Sequence, residues 1–169
     1  LIDTIASEDK VVKYLDIPIQ HINNRILKAM NRHGTREEIE TLFKKLREKI
    51  PGVVIRTSLI VGFPSETDEE FEELCDFLKE YKIERAGVFP YYREEGTRAY
   101  DMDGQVDEQT KIRRAELVEI LQSRVMDEYN SRLMGKTIEV LCEGFDRIGE
   151  NYFGRSFADS PEVDGKVFF

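Results

Sequence analysis

The stretch VVIRTSLIVGFPSET (Val53 to Thr67) decides the fold class of this chain. Residues 53–61 are a nearly continuous β-branched and apolar run, which predicts a strand covered on both faces, as in parallel sheets. Gly62 and Pro64 then allow the backbone to turn sharply. Thr67 forms a capping box with Glu70 and so begins a helix. A buried strand that turns directly into a helix is typical of α/β folds.

The same alternation continues on both sides of this stretch. Residues 11–20 predict an earlier strand and residues 85–91 a later one, because both are rich in β-branched and aromatic side chains. Between the first two strands, Asn23 can cap a short helix, and Thr35 with Glu38 forms a second capping box. Strands that alternate with helices predict a parallel sheet with right-handed crossovers, and thus the α/β class.

The last third of the chain changes character. After a polar loop, a long amphipathic helix is predicted, with an apolar face formed by Ile112, Ala115, Val118, Leu121, Val125, Tyr129 and Leu133. Gly135 is predicted to end this helix as its C′ residue. The segments KTIEVLCEG, NYFGRSF and GKVFF then predict short strands of a small all-β module. This change sets a predicted boundary between a domain of residues 1–134 and one of residues 135–169.

Composition narrows the class of protein. With 40% hydrophobic and 35% charged residues, the 169-residue chain is typical of a globular protein, and it has no apolar run of about 18 residues that could span a membrane. Its two cysteines are far apart and lack metal-ligand spacing, which favours the reducing cytoplasm. The net charge of −9 favours a basic partner over nucleic acid. The chain begins without Met, inside a predicted helix, so we expect a fragment.

Three unusual segments end the predicted strands: PIQH, VGFPSET and VFPYYREEGT. Because ligands of parallel α/β folds bind beyond the carboxyl ends of the strands, these segments predict one shared site. Arg56 lies in an apolar run, so its guanidinium needs an anion, either a ligand carboxylate or a salt-bridge partner. His21 is either a hydrogen-bonded structural histidine or a site residue. Glu66 stands near a helix N-terminus, where a carboxylate is stabilised.

Several common catalytic motifs are missing from the chain, namely CxxxCxxC, the P-loop, GxGxxG and HExxH. The residues taken alone therefore indicate part of an α/β sheet with a ligand-binding edge, followed by a β module. They do not indicate a reaction.

A resemblance to a known family goes further. The segments YLDIPIQH, LKAMNR, IRTSLIVGFPSET, GVFPYYREEGT and GRSFADSPEVDG resemble, in order and spacing, the methylthiotransferase family of radical S-adenosylmethionine (SAM) enzymes. This similarity implies the C-terminal half of an open radical SAM (β/α) barrel with parallel strands, followed by a truncated, OB-like TRAM module. It also implies SAM and two 4Fe-4S clusters as cofactors of the parent enzyme. The cysteine ligands of both clusters are absent from this chain, so we expect the chain alone to be inactive.

The resemblance also implies which residues contact SAM. They are Gln20, His21, Arg56, Gly62, Phe63, Pro64, Glu66, Phe89 and Pro90. It implies no catalytic residue and no metal ligand within this chain. The sequence departs from the family pattern at Ser65, where a glycine is usual, and at Tyr92, where a serine is common.

The tail DSPEVDG resembles the family members that add a methylthio group to an aspartate of ribosomal protein uS12. Residues 135–169 carry four basic and seven acidic side chains, so this module is acidic and suits a basic protein better than RNA. The alternatives are a tRNA methylthiotransferase, which the acidic tail disfavours, and a non-catalytic module that binds a partner through its β tail.

Overall fold

The computed structural model describes residues 1–169 and contains two three-stranded sheets. The first sheet is parallel, in the order β1 (Tyr14–Asp16), β2 (Val54–Val61), β3 (Arg85–Pro90). The second is antiparallel, in the order β4 (Leu141–Asp146), β5 (Asn151–Arg155), β6 (Val167–Phe168). The predicted fold class, an α/β segment followed by an all-β module, is confirmed.

Five α-helices accompany the sheets: α1 (Ile2–Ser7), α2 (Asn24–Ala29), α3 (Arg36–Lys49), α4 (Asp68–Tyr81) and α5 (Glu108–Ser131). Three of them begin as predicted. Asn23 accepts hydrogen bonds from backbone N–H groups at the start of α2, and complete capping boxes begin α3 and α4. Every helix lacks the combination of length and apolar character that crossing a membrane requires.

Helices α3 and α4 cover one face of the parallel sheet. Phe43 and Leu46 of α3 and Leu74 of α4 are buried in a single core cluster with β2 residues such as Ile55 and Leu59. The opposite face of the sheet, here named the open face, is formed by three pairs of residues in register: Arg56 and Arg85, Ser58 and Gly87, Ile60 and Phe89. Along β2 these open-face residues are less buried than their neighbours.

The first strand is shorter than predicted, since residues 11–20 contain only the three strand residues of β1. Pro18 has no backbone N–H to donate to a neighbouring strand, and Gln20 has a left-handed backbone, with φ 70°. The chain nevertheless continues beside β2. The backbone N–H of Gln20 donates to Ser58 O at 2.9 Å, so Gln20 and His21 still reach the carboxyl end of the sheet.

The predicted face of α5 is partly wrong. Ala115 and Val118 are buried as expected, but Ile112 is 51% exposed. Lys111, Arg114 and Gln122 are buried on this helix instead. The apolar pattern failed because these polar side chains find partners inside the protein, which offsets the cost of burying them. The helix ends at Ser131, so Gly135, although its φ is 74°, lies beyond the C′ position.

Candidate functional site at the carboxyl rim

The carboxyl end of the parallel sheet brings together most of the residues that the sequence predicted for the site. We name this region the carboxyl rim, and define it as Gln20, His21, Gly62 to Glu66, and Phe89 to Tyr91. The bridge between Gln20 and Leu59 places the first segment beside β2. The N–H of Tyr91 donates to Val61 O at 2.8 Å and places the third segment on its other side. The three predicted segments therefore do meet at one edge.

Glu66 is the centre of the rim. Its side chain is fully buried, and its two carboxylate oxygens accept the backbone N–H of Gly62 at 2.9 and 3.0 Å. Arg114 of α5 donates to Glu66 Oε1 at 2.7 Å and to the Glu66 backbone carbonyl at 3.2 Å. A buried carboxylate with this many donors is held in one position. It fixes the turn after β2 to helix α5.

His21 lies on the other side of Glu66. Its Nδ1 accepts the backbone N–H of Asn23 at 3.0 Å. Nε2 is 3.5 Å from Glu66 Oε2, and both side chains are fully buried. Nε2 has no hydrogen-bond partner inside the protein, so only one of the two ring nitrogens is satisfied there. The role of His21 as a site residue therefore stays a prediction.

A second ion pair lies beside the first. Arg25 of α2 donates to Glu70 Oε1 at 2.6 Å and to the Ser65 carbonyl at 2.6 Å. Burial acts to raise the pKa of the Glu70 carboxyl, but hydrogen bonds from Arg25 and from the Thr67 backbone outweigh it and lower the pKa. The first turns of α2 and α4 are therefore joined at the rim by charge.

Ser65 joins the turn to the long loop that follows β3. Its N–H donates to Gly104 O at 2.7 Å, and its hydroxyl donates to Asp103 O at 3.2 Å. Ser65 has φ 67°, a conformation in which a side chain costs free energy and glycine does not. A Cβ at Gly104 would lie 2.6 Å from Ser65 Oγ, so a side chain at residue 104 would collide with Ser65.

Apolar surface is available where β3 ends. Phe89 is 57% exposed on the open face, and Pro90 beside it is exposed. Phe63 and Tyr91 pack edge to face with ring centroids 5.3 Å apart, and both are buried behind this surface. The rim therefore offers a planar apolar ligand an exposed ring on a rigid support.

Arg56 lies elsewhere. It is at the amino end of β2, five residues before Val61, which corresponds to about 16 Å along a strand. Its Nη1 is 2.9 Å from Asp164 Oδ1, and its Nε is 3.6 Å from Asp16 Oδ2. The structure thus provides the salt-bridge partner that the sequence left open, and Arg56 is not brought together with the rim.

Sequence reasoning missed three basic residues that build the rim, namely Arg25, Lys111 and Arg114. One signal was present. Lys111, Arg114, Ala115, Val118 and Gln122 recur at helical spacing, so the two basic residues share a helix face with two small apolar ones. Their partners, however, are far away in sequence and could not be assigned without the fold.

The chain does not fit an iron–sulfur cluster. Its two cysteines are separated in the fold, since Cys75 is buried in α4 and Cys142 is exposed on β4. No group of three or more His, Cys, Asp or Glu side chains converges in a way that could hold a metal ion.

Comparison with known families divides the chain as the fold does. The family described as the Radical SAM superfamily matches residues 1–78, and the TRAM domain family matches residues 134–169. Among solved structures, the E. coli coproporphyrinogen III oxidase HemN, titled a radical SAM enzyme, matches 67% of this chain and 27% of its own, with a TM-score of 0.56. At 22% identity this likeness shows the fold alone.

Curated relatives are much more similar in sequence. The protein named "Ribosomal protein uS12 methylthiotransferase RimO" is 52% identical over the whole chain in Pelotomaculum thermopropionicum. The proteins of the same name in Clostridium botulinum (strain Eklund 17B) and Caldanaerobacter subterraneus subsp. tengcongensis are each 48% identical, over 100% and 99% of the chain. The chain spans 38%, 37% and 38% of the length of these relatives.

Proposed function

Because the chain is a homologue of the RimO proteins over its whole length, with a radical SAM segment followed by a TRAM segment, we propose that it forms part of a methylthiotransferase. The proposed substrate is an aspartate of ribosomal protein uS12, whose β-carbon receives the methylthio group. One observation carries the proposal: identity near 50% that extends without interruption from the SAM segment into the TRAM segment. A ribosomal protein substrate would place the activity in the cytoplasm.

The chain's part in this reaction would be to bind and orient SAM. When bound, SAM supplies the radical and the methyl group, and the protein supplies orientation and shielding. The exposed Phe89 ring and Pro90 support a contact with the adenine. Gln20 lies beside the carboxyl end of β2, where it could bond a polar group of the ligand.

The remaining predicted residues would act less directly. We propose that Gly62, Phe63 and Pro64 form one wall of the SAM pocket through their backbone and the Phe63 ring. Glu66 and His21 would hold that wall in place, since both are already engaged inside the protein. Contact between Arg56 and SAM stays a prediction, because Arg56 lies at the opposite end of the strand.

The residues present do not fit the iron–sulfur clusters of the family, so we propose that the chain needs other sequence to supply them. The domain boundary at Gly135 also stays a proposal. It is supported by the end of α5 at Ser131 and by the start of the TRAM match at residue 134.

A segment exchange tests the proposed function. The matching segment of the Pelotomaculum thermopropionicum RimO is replaced by this chain, and the purified protein is reconstituted with iron and sulfide. It is then incubated with SAM, uS12, tRNA, a sulfur source and a one-electron reductant. We expect mass spectrometry to detect methylthiolated uS12 and unmodified tRNA. The unmodified RimO is the positive control, and a hybrid with Phe89→Ala and Pro90→Ala should lose affinity for SAM.

The opposite pattern would contradict the proposal. A reconstituted hybrid that modifies tRNA and leaves uS12 unchanged would support the tRNA methylthiotransferase. Binding of uS12 without any SAM binding would support the non-catalytic module.

A further inference from the structure

Two arginines stand side by side on the open face. Arg56 of β2 and Arg85 of β3 are partners in the parallel register, so their side chains leave the sheet at neighbouring positions. Arg85 is buried and Arg56 nearly so. Two like charges on adjacent strands repel each other, and buried guanidinium groups need anions. The sheet therefore requires negative charge at this place.

One loop supplies both anions. The segment SFADSPEVDG (156–165) carries Asp159, whose Oδ1 is 2.9 Å from Arg85 Nη2, and Asp164, whose Oδ1 is 2.9 Å from Arg56 Nη1. The hydroxyl of Tyr14 on β1 also donates to Asp164 Oδ2 at 2.9 Å. The loop thus contacts all three parallel strands.

Hydrogen bonds from the loop itself also orient the two carboxylates, because each accepts them at its second oxygen. Asp159 Oδ2 accepts the N–H of Ser156 at 2.9 Å and its hydroxyl at 2.6 Å. Asp164 Oδ2 accepts the N–H of Ser160 at 2.7 Å. In each case the first oxygen is left for an arginine. Because the loop already holds both carboxylates, little conformational entropy is lost when they form ion pairs with the arginines.

Close packing is incomplete beside this contact. A cavity of about 270 Å³ remains between the loop and the C-terminal half of α5, and Arg85 and Asp159 are among its lining residues. The ion pair between Arg85 and Asp159 therefore lies beside a gap in the packing.

We infer that Asp159 and Asp164 form a two-point clasp that fixes the small antiparallel module on the amino end of the open face. The arginines of this chain are then the partner of the acidic loop. The clasp sets the orientation of the module relative to the carboxyl rim, and the two aspartates are not available to an external protein. This inference does not depend on the proposed reaction.

Spin labels test the clasp in the 169-residue chain. One label is attached to the exposed Cys142 of the module, and the other to a cysteine introduced by Glu119→Cys, an exposed position of α5 outside the cavity that Cys75 lines. Buried Cys75 should stay unlabelled. We expect a narrow distribution of distances between the labels in the native chain, and a broad one in the double variant Asp159→Asn, Asp164→Asn. The control variant Glu162→Gln, between the two aspartates and exposed, should keep the narrow distribution.

Amide hydrogen exchange reports on the same variants. Residues 156–164 should exchange at least tenfold faster in the double variant, while the amides of β2 keep their protection. The charge exchange Arg85→Asp with Asp159→Arg should restore part of the narrow distance distribution that Asp159→Arg alone abolishes.

Three outcomes would overturn the inference. A broad distribution in the native chain would show that the module is not fixed. A narrow distribution in the double variant would show that other contacts fix it. Loss of protection in β2 would show that the two aspartates belong to the folding core of the sheet and do not form a separable clasp.

Discussion

Gly62 and Lys111 are so close that a Cβ atom on residue 62 would lie 2.4 Å from Lys111 Cγ and 3.1 Å from its Cβ. The turn after β2 and the first turns of α5 thus fit together only when residue 62 has no side chain. Gly62 also has φ 72°, which only glycine adopts at little cost. The backbone conformation and the packing therefore both require glycine at residue 62.

Gly62→Ala should lower the free energy of unfolding more than Gly52→Ala. Both glycines have positive φ, 72° and 76°, so both variants carry the left-handed penalty of about 1–2 kcal/mol. Nothing lies within 4 Å of a Cβ at Gly52, whereas at Gly62 overpacking should add about 1–3 kcal/mol. Urea unfolding of both variants measures the difference. Equal losses would show that Lys111 moves aside without cost.

Glu66→Gln should destabilise the chain strongly. The substitution removes the charge from a carboxylate that accepts Arg114 and the Gly62 N–H in a fully buried place. Breaking a buried ion pair on one side typically costs about 3–5 kcal/mol. Glu72→Gln on the exposed surface of α4 is the control, with an expected change within about 0.5 kcal/mol. If urea unfolding gave the two variants similar stability, Glu66 would not be the centre of the rim.

Ser65→Gly and Ser65→Ala should differ in stability. Both remove the hydroxyl that donates to Asp103 O, but only glycine also removes the cost of φ 67°. The glycine variant should therefore be more stable than the alanine variant by about 1–2 kcal/mol. Thermal unfolding of the two variants beside the native chain measures this. A more stable alanine variant would show that the left-handed backbone at Ser65 carries no cost.

The sequence predicted the fold better than the site. The buried run 53–61 and the capping boxes at Thr35 and Thr67 depend on local chemistry, and the structure confirms them. The order of the rim segments followed from the parallel topology. The ion-pair partners could not be predicted in this way. Arg114 is 48 residues from Glu66 along the chain, and Asp164 is 108 residues from Arg56. Ion pairs between distant segments leave no periodic pattern in a single sequence.

The predicted role of the tail shows the same limit. From the sequence, Asp164 and Glu162 were equivalent acidic residues that could steer a basic partner. In the fold, the side chain of Asp164 is 7% exposed and bonded to Arg56, while Glu162 is exposed. Only the structure separates a carboxylate that holds the module from one that a partner could reach.

The two cysteines should react at very different rates with a thiol reagent at pH 8. Burial raises the pKa of the Cys75 thiol to about 11, so only about one thiol in a thousand would be ionised at pH 8, and the thiolate is the reactive form. Cys142 is exposed. One thiol per chain should react quickly, and Cys142→Ser should abolish this fast phase. Rapid reaction of two thiols in the folded chain would contradict the buried position of Cys75.

The same pKa shift has a consequence for stability at high pH. Folding raises the pKa of the Cys75 thiol above its ordinary value of 9.0, so the folded chain favours the protonated form. The contribution of this thiol is fully present below pH 9 and is lost as the pH rises through about 11. Cys75→Ala should therefore show a weaker fall in stability between pH 9 and pH 11 than the native chain, measured by urea unfolding.

Binding to uS12, if the proposed substrate is correct, should depend on the acidic residues that stay exposed. Glu162→Lys should slow association with uS12 at low salt by several-fold, because exposed charges at the edge of an interface act mainly on the association rate, and the effect should fade as salt screens them. Glu48→Lys, an equal change of charge on helix α3, is the control and should have a smaller effect. Stopped-flow binding at two salt concentrations measures both. An equal slowing by the two variants would mean that only the net charge of −9 steers the partner. If neither variant slowed association, the acidic charge of the module would have no role in recognition. Contacts through its exposed aromatic residues Tyr152 and Phe169 would then be favoured.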